Sequence, residues 1–306
     1  MSKKIVFMGT PKFSVQTLEV LEKSNFKIEC VYTQPPKKAK RGQKIILTPV
    51  NQVAKKLNLK IRTPNDLETQ EEYNYFKSIR PYIVIVVAYG KIIPEKFLSL
   101  SEKGFLNIHA SLLPKWRGAA PIQRSIMHRD KETGVSFMMI EKGLDSGPYI
   151  NQIKVKIDIQ TTAGSLTDEL SKLGADNILK TINLIQENKA KYVMQDNNQA
   201  TYAKKINKDE SKIIWNEKAI NVIAKINGLN PYPGAWFKFN GSRYKIWKAL
   251  TSEMKGVPGN ILDEKLTIAC KDKSIEIVEI QKEGKNKIGI EEFIKGNKIS
   301  KGQNIS

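Results

Sequence analysis

Cysteine and histidine are scarce: the 306-residue chain holds two of each, Cys30 and Cys270, His109 and His128. At most one disulfide is possible, between residues in different halves of the chain, so both thiols are expected to be reduced, as in a cytoplasmic protein. A zinc site would have to be built mostly from carboxylates, and no metal is expected. No apolar run approaches the ~18 residues of a transmembrane helix, so no membrane association is expected. The opening Met1-Ser2-Lys3-Lys4 leads straight into Ile5–Met8, an apolar run too short for a secretory leader and without a small-residue cleavage site after it. Acidic residues are also in short supply, 31 against 51 basic, which leaves a net charge of +20. An excess of this size points to a polyanionic partner, nucleic acid before an anionic membrane. An Asn-, Ile- and Lys-rich composition imposed by an AT-rich genome is the alternative source of that charge.

What is present suffices for two domains: 40% hydrophobic and 27% charged residues, with ordinary glycine and proline. Through the first two-thirds, strand-like and helix-like segments alternate. Ile5–Met8, Lys27–Thr33, Ile83–Ala88, Phe105–His109, Val135–Ile140 and Tyr149–Ile157 read as strands. Pro49–Leu57, Asp66–Ser78, Ala120–Met127 and Thr162–Gln186 read as helices. Ile83–Ala88 is continuously apolar and β-branched, as in a strand buried on both faces. The order implies an α/β fold with an open, mostly parallel twisted sheet, Rossmann-like, over residues 1–190. Residues 191–208 are polar and read as a linker. After one more helix, short strand-like runs separated by Asn240-Gly241, Pro258-Gly259 and Asp272-Lys273 predict a small, OB-like β-barrel over 209–306. No internal repeat is visible, and without an obvious apolar pairing surface a monomer is expected.

Open α/β sheets place ligands beyond the C-terminal ends of their strands. Asn107 and His109 lie two apart at the end of a predicted strand and so share a face. An amide and an imidazole there can grip a carbonyl oxygen on its way to an oxyanion, although an isolated Asn-x-His is equally a buried, satisfied pair. Gly9-Thr10-Pro11 follows the first strand but lacks the G-x-G-x-x-G spacing, which removes a dinucleotide fingerprint.

The stretch from Ser111 to Gln123, Ser-Leu-Leu-Pro-Lys-Trp-Arg-Gly-Ala-Ala-Pro-Ile-Gln, resembles the signature loop of the folate-dependent formyltransferases. Gly143-Leu144-Asp145-Ser146-Gly147 resembles that family's second signature. Phe7–Phe13, Val87–Pro94 and Asn230–Trp236 resemble, in the right order, the opening turn, a central strand end and the C-terminal entry of its members that act on tRNA. The resemblance covers almost the whole chain and loosens over the last forty or so residues.

It implies a catalytic trio of Asn107, His109 and Asp145. It implies a folate site at Ser111, Leu112, Leu113 and Pro114, with Tyr89 and Gly90 making backbone contacts. The implied reaction moves the formyl group of 10-formyltetrahydrofolate to the methionine amino group of initiator methionyl-tRNA. A related enzyme acting on a nucleotide or amino-sugar amine, or a catalytically retired RNA-binding scaffold, are the competing readings. Lys115 departs from the Arg that the family more often carries before its Trp.

Between Cys30 and Asn65 there is no acidic residue, while nine Lys or Arg occur. Lys37, Lys38, Lys40, Arg41 and Lys44 are expected in an exposed, mobile loop at the rim of the site, contacting tRNA phosphates. Lys40-Arg41-Gly42 matches the family's basic loop there. Arg117, with Trp116, is expected to meet the RNA end. Trp236, Lys238, Arg243, Lys245 and Trp247 offer a basic, aromatic face on the barrel.

Overall fold

A computed structural model describes residues 2–39, 44–296 and 299–305. The chain packs as two units. The first comprises Met1–Ala119, Gly134–Val155 and Thr167–Ala203; the second comprises Ala120–Thr133, Lys156–Leu166 and Lys204–Ser306. Two short stretches from within residues 1–190 thus belong to the second unit.

In chain order the elements are β1 (Lys4–Gly9), α1 (Val15–Glu22), β2 (Lys27–Tyr32), β3 (Lys37–Ala39), β4 (Lys44–Ile46), α2 (Pro49–Lys56), β5 (Ile61–Arg62) and α3 (Gln70–Ile79). Next come β6 (Ile83–Val87), α4 (Glu95–Leu98), β7 (Phe105–His109), β8 (Arg117–Gly118), α5 (Pro121–Met127), β9 (Glu132–Met139), β10 (Tyr149–Lys156), α6 (Ala163–Gln186) and β11 (Tyr202–Ala203). The remainder holds α7 (Ala219–Gly228), β12 (Ala235–Phe239), β13 (Ser242–Ser252), β14 (Thr267–Ala269), β15 (Ser274–Lys282), β16 (Ile288–Gly289) and α8 (Ile290–Gly296).

The first unit is built on a seven-stranded sheet of order β10-β9-β7-β6-β1-β2-β5. β1 runs parallel to β2 and β6, β6 to β7, and β2 to β5, while β7 and β9 are antiparallel. The expected mostly parallel α/β sheet is therefore present. Every residue of β6 is buried, as its unbroken Ile-Val-Ile-Val-Val run requires of a central strand covered on both faces. From β1 the chain winds outward through β2 to β5, then returns to lay β6 and β7 on the other side. The switch point falls between β1 and β6, and a crevice at their carboxyl ends is the default ligand position.

α3 begins at Gln70 rather than at Asp66. Asp66 instead closes a local turn by accepting from the Glu68 amide at 2.8 Å, and Thr69 caps the helix by accepting from the Glu72 amide. Glu72 has the capping-box spacing but turns inward, where it accepts from the Tyr32 hydroxyl at 2.6 Å and from Arg62 at 2.7 Å. α3 buries Phe76 against Tyr32, Phe97 and Phe105, with ring centroids 5.1–5.9 Å apart. Phe76 has no exposed surface. Phe76→Ala should therefore cost about 3–5 kcal/mol of stability, read as a lower urea midpoint at unchanged slope.

The second unit carries a five-stranded antiparallel sheet, β12-β13-β15-β14 with β16 beside β15, so the expected small all-β part is present. Ala235 and Phe237 of β12 face a core with Tyr244, Ile246, Ile277 and Ile280, which α7 covers with Val222, Ile223 and Ile226. At Gly228, α7 passes so close to α5 that a Cβ would lie 2.6 Å from Met127 Cγ. Both cysteines are free and buried. Burial pushes the Cys30 thiol up to about 11 and the Cys270 thiol up to about 12, which keeps both protonated and inert. Among the described residues no helix is long and apolar enough to cross a membrane, and no three His, Cys, Asp or Glu cluster as metal ligands would.

Candidate active site

Asn107 and His109 sit on β7, each held by the sheet on both sides or one: Asn107 pairs with Val86 of β6 and Met138 of β9, His109 with Ser136 of β9. Their side chains are 8% and 6% exposed. The Asn107 amide has no hydrogen-bond partner among the described residues, so a buried amide stands free at a strand end where a ligand oxygen can meet it. The His109 imidazole lies between two acceptors. Its Nε2 is 2.9 Å from the Trp116 carbonyl oxygen, which can only accept, so Nε2 carries a proton. Its Nδ1 is 3.7 Å from Asp145 Oδ2, a close charge pairing wider than a hydrogen bond.

Asp145 occupies the left-handed region with φ +48, a conformation that Asp tolerates better than most residues. Its Oδ2 accepts from the Gly118 amide at 2.8 Å. Gly118 itself has φ +116, and a Cβ there would stand 3.0 Å from the Ala203 carbonyl oxygen. Only glycine fits this approach. The signature loop and the Asp145 loop are thus joined at one backbone N–H, and that bond aims the carboxylate at the imidazole. His109 and Asp145 are thus brought together, and Asn107 lies two residues before His109 on the same strand.

The loop after β7 is fastened by side chains that sequence reasoning did not single out. Ser136 Oγ donates to the Ser111 carbonyl at 2.6 Å and accepts from the Leu113 amide at 3.0 Å. Gln152 donates to the Leu113 carbonyl at 2.7 Å and to Ser136 Oγ at 2.9 Å. Ser111 Oγ donates to the Lys115 carbonyl at 2.6 Å, and the Pro114 carbonyl accepts from the Thr201 amide at 3.3 Å. Ser111 and Leu113 are buried, while Leu112 and Pro114 are half-buried. Of the expected folate contacts, Leu112 and Pro114 retain surface for a ligand, and Ser111 and Leu113 shape the loop beneath them.

Tyr89 and Gly90 lie just past β6, at the switch point. The Tyr89 carbonyl accepts from Thr10 Oγ at 2.7 Å and from Gln34 Nε2 at 3.2 Å, and the Gly90 carbonyl accepts from Gln34 at 2.9 Å. Both carbonyls therefore already have protein partners. The Tyr89 ring is buried, its hydroxyl has no hydrogen-bond partner among the described residues, and burial pushes the phenol well above its ordinary value.

The basic segment reads differently from an open loop. Lys37 and Lys38 fall on β3 and Lys44 on β4, paired as an antiparallel hairpin with Lys37 opposite Ile46. Lys37 is exposed. Lys40 and Arg41 lie outside the described residues. Strands of three residues are too short to show alternation, which hid the hairpin from sequence reading. Arg117, expected to face RNA, is only 3% exposed. Its Nε donates to Gln195 at 2.9 Å, so it is part of the site's interior.

Of residues 191–208, read as a linker, the part up to Ala203 docks onto this site, and the chain from Lys204 onward belongs to the second unit. Tyr149 and Val193 exchange backbone bonds at 3.0 and 2.9 Å. The Trp116 amide donates to Thr201 Oγ at 2.9 Å, and β11 pairs in parallel with β8. Polar composition suggested a tether, whereas the polar groups are spent on the signature loop.

An amide, an imidazole and a carboxylate gathered at the carboxyl edge of a parallel sheet suit a group-transfer enzyme that works through an oxyanion. The class narrows on comparison with known proteins. The formyl transferase family matches residues 3–182 and its C-terminal domain matches residues 205–298; the chain belongs to the formyl transferase family. A methionyl-tRNA formyltransferase of Pelagibacter ubique is 50% identical over 308 residues, spanning 100% of this chain and 99% of that protein. Among solved structures, an N-formyltransferase from Helicobacter canadensis, in complex with folinic acid and dTDP-3-aminofucose, superposes with a TM-score of 0.66 at 22% identity. The alignment spans 92% of this chain and 100% of that one. A methionyl-tRNA formyltransferase from Clostridium thermocellum superposes with a TM-score of 0.59 at 18% identity, over 83% of this chain and 95% of that one.

Proposed function

We propose that this enzyme transfers the formyl group of 10-formyltetrahydrofolate to the amino group of methionine on initiator methionyl-tRNA. The observation that carries the acceptor is the full-length, 50% identity to the Pelagibacter ubique methionyl-tRNA formyltransferase. The site supplies the chemistry. The folate brings the formyl carbon; the protein's task is to hold charge and protons around it. As the amine nitrogen bonds to that carbon, its oxygen gains negative charge. The Asn107 amide is the donor that would receive that oxygen, next to the His109 ring, whose Nε2–H is held by the Trp116 carbonyl. Preorganised donors of this kind are worth roughly 10²–10³ in rate each. The ionised Asp145 first orients the imidazole and then takes the proton released by the attacking nitrogen, directly or through a water. The bond from the formyl carbon to the carrier nitrogen then breaks, and that nitrogen leaves with the proton that Asp145 returns.

The net charge of +20 and the Lys-bearing β3–β4 hairpin favour an RNA acceptor over a free small amine. A combined change of Lys37, Lys38, Lys40 and Arg41 to Ala should raise the KM for tRNA by tenfold or more, on the order of what three or four lost phosphate contacts cost, and flatten its salt dependence. The KM for folate should stay put. An unchanged tRNA KM would remove these residues from the RNA interface. The function itself is tested by following labelled formyl from 10-formyltetrahydrofolate onto methionyl-tRNA, a free nucleotide amine and an amino sugar. Transfer to methionyl-tRNA is expected; transfer to a small amine alone would overturn the acceptor, and RNA binding without transfer would overturn the enzyme.

A further inference from the structure

Gln195 lies outside the residues matched by either family domain, in the segment whose composition reads as a tether. Yet the residue is 9% exposed, and both donors and the oxygen of its amide are engaged. Nε2 donates to the Asp145 carbonyl at 2.9 Å and to the Gly147 carbonyl at 2.7 Å. Oε1 accepts from Arg117 Nε at 2.9 Å. Arg117 is 3% exposed, and its Nη2 is buried without a hydrogen-bond partner among the described residues. A buried guanidinium with an unpartnered nitrogen is costly, and its retention asks for a function.

The arrangement forms a closed brace. Asp145 adopts a positive φ and cannot hold its loop in place by local preference alone. Gly118 fixes its carboxylate from one side, through the N–H that Oδ2 accepts. Gln195 fixes the backbone of the same residue from the other. Arg117, the residue before Gly118, orients the Gln195 amide so that its nitrogen, and not its oxygen, meets the two carbonyls. A flipped amide would set oxygen against oxygen on the Asp145 side and nitrogen against a cation on the Arg117 side.

We propose that Gln195 and Arg117 are a positioning pair for the formyl-transfer reaction, acting by holding the Asp145 carboxylate against His109. The proposal rests on the functional reading above and adds to it two residues that touch neither substrate. An angstrom of misplacement at a catalytic group is worth about 10²-fold in rate. Gln195→Met, close to it in volume, should therefore lower kcat by roughly 10–100-fold while both KM values stay within about twofold. Gln195→Glu keeps an acceptor for Arg117 but presents oxygens to the two carbonyls; it should be as slow as Gln195→Met although the pairing with Arg117 is retained.

The decisive readout is single-turnover transfer in the full-length enzyme, with enzyme in excess, for Gln195→Met, Asp145→Asn and the double variant. If Gln195 acts through Asp145, the double variant is no slower than Asp145→Asn alone. A loss that multiplies in the double variant, or Gln195→Glu turning over at the wild-type kcat, overturns the proposal. So does a Gln195→Met whose defect lies in KM alone. An active wild type with unaffected variants sinks this pair and leaves the function standing, whereas a wild type that transfers no formyl group sinks both.

Discussion

Asp145→Asn should lower kcat by roughly 10³-fold, within the range set by losing a positioned acid–base group, while affinity for the folate donor stays within about threefold. The substitution is a clean one in this fold. Asn tolerates the left-handed backbone that Asp145 adopts. Its side-chain oxygen can still accept from the Gly118 amide, which in the wild type reaches Oδ2 at 2.8 Å. The loop should therefore keep its path, and thermal stability should change little. What is lost is the negative charge 3.7 Å from the imidazole and the capacity to accept a proton. Equilibrium binding of a folate analogue and rapid-quench measurement of formyl transfer separate the two effects. A variant with full turnover would show that Asp145 holds neither charge nor proton.

Asn107→Ala should lower kcat by roughly 10²–10³-fold, the effect of removing one oxyanion donor. The donor stabilises the charged centre more than the ground-state carbonyl, so the KM for folate should move much less. The amide has no hydrogen-bond partner among the described residues, so no hydrogen bond to them breaks with it. The backbone of Asn107 remains paired to Val86 and Met138. A small loss of stability with a large loss of kcat is the expected signature. Equal losses in kcat and in folding stability would instead mark Asn107 as a structural residue.

The parts of this molecule that were legible in its sequence are those where local pattern and global position agree. Ile83–Ala88 reads as a central strand because every position is apolar, and the strand itself ends one residue earlier, at Val87. Phe105–His109 was placed to the residue, and with it the shared face of Asn107 and His109. Asp145 was reachable only through the resemblance of its Gly-rich loop, since nothing in the spacing links it to β7. Side chains whose importance is purely tertiary escaped notice. Ser136 and Gln152 look like ordinary strand residues, and their bonds to Ser111 and Leu113 arise only when β9 and β10 close beside β7. Gln195 and Thr201 sit in a polar stretch that composition assigns to solvent. Arg117 drew attention for its charge, and charge was a poor guide to its place: a buried cation held by a glutamine has the same letter as an exposed one.

The account turns on where the formyl group comes to rest. A crystal structure with a stable formyl-folate analogue should place the formyl oxygen about 2.7–3.1 Å from the Asn107 amide nitrogen, with the formyl carbon beside the His109–Asp145 pair. A folate seated elsewhere, or one whose formyl group faces away from β7 while turnover is intact in the crystal, would contradict it.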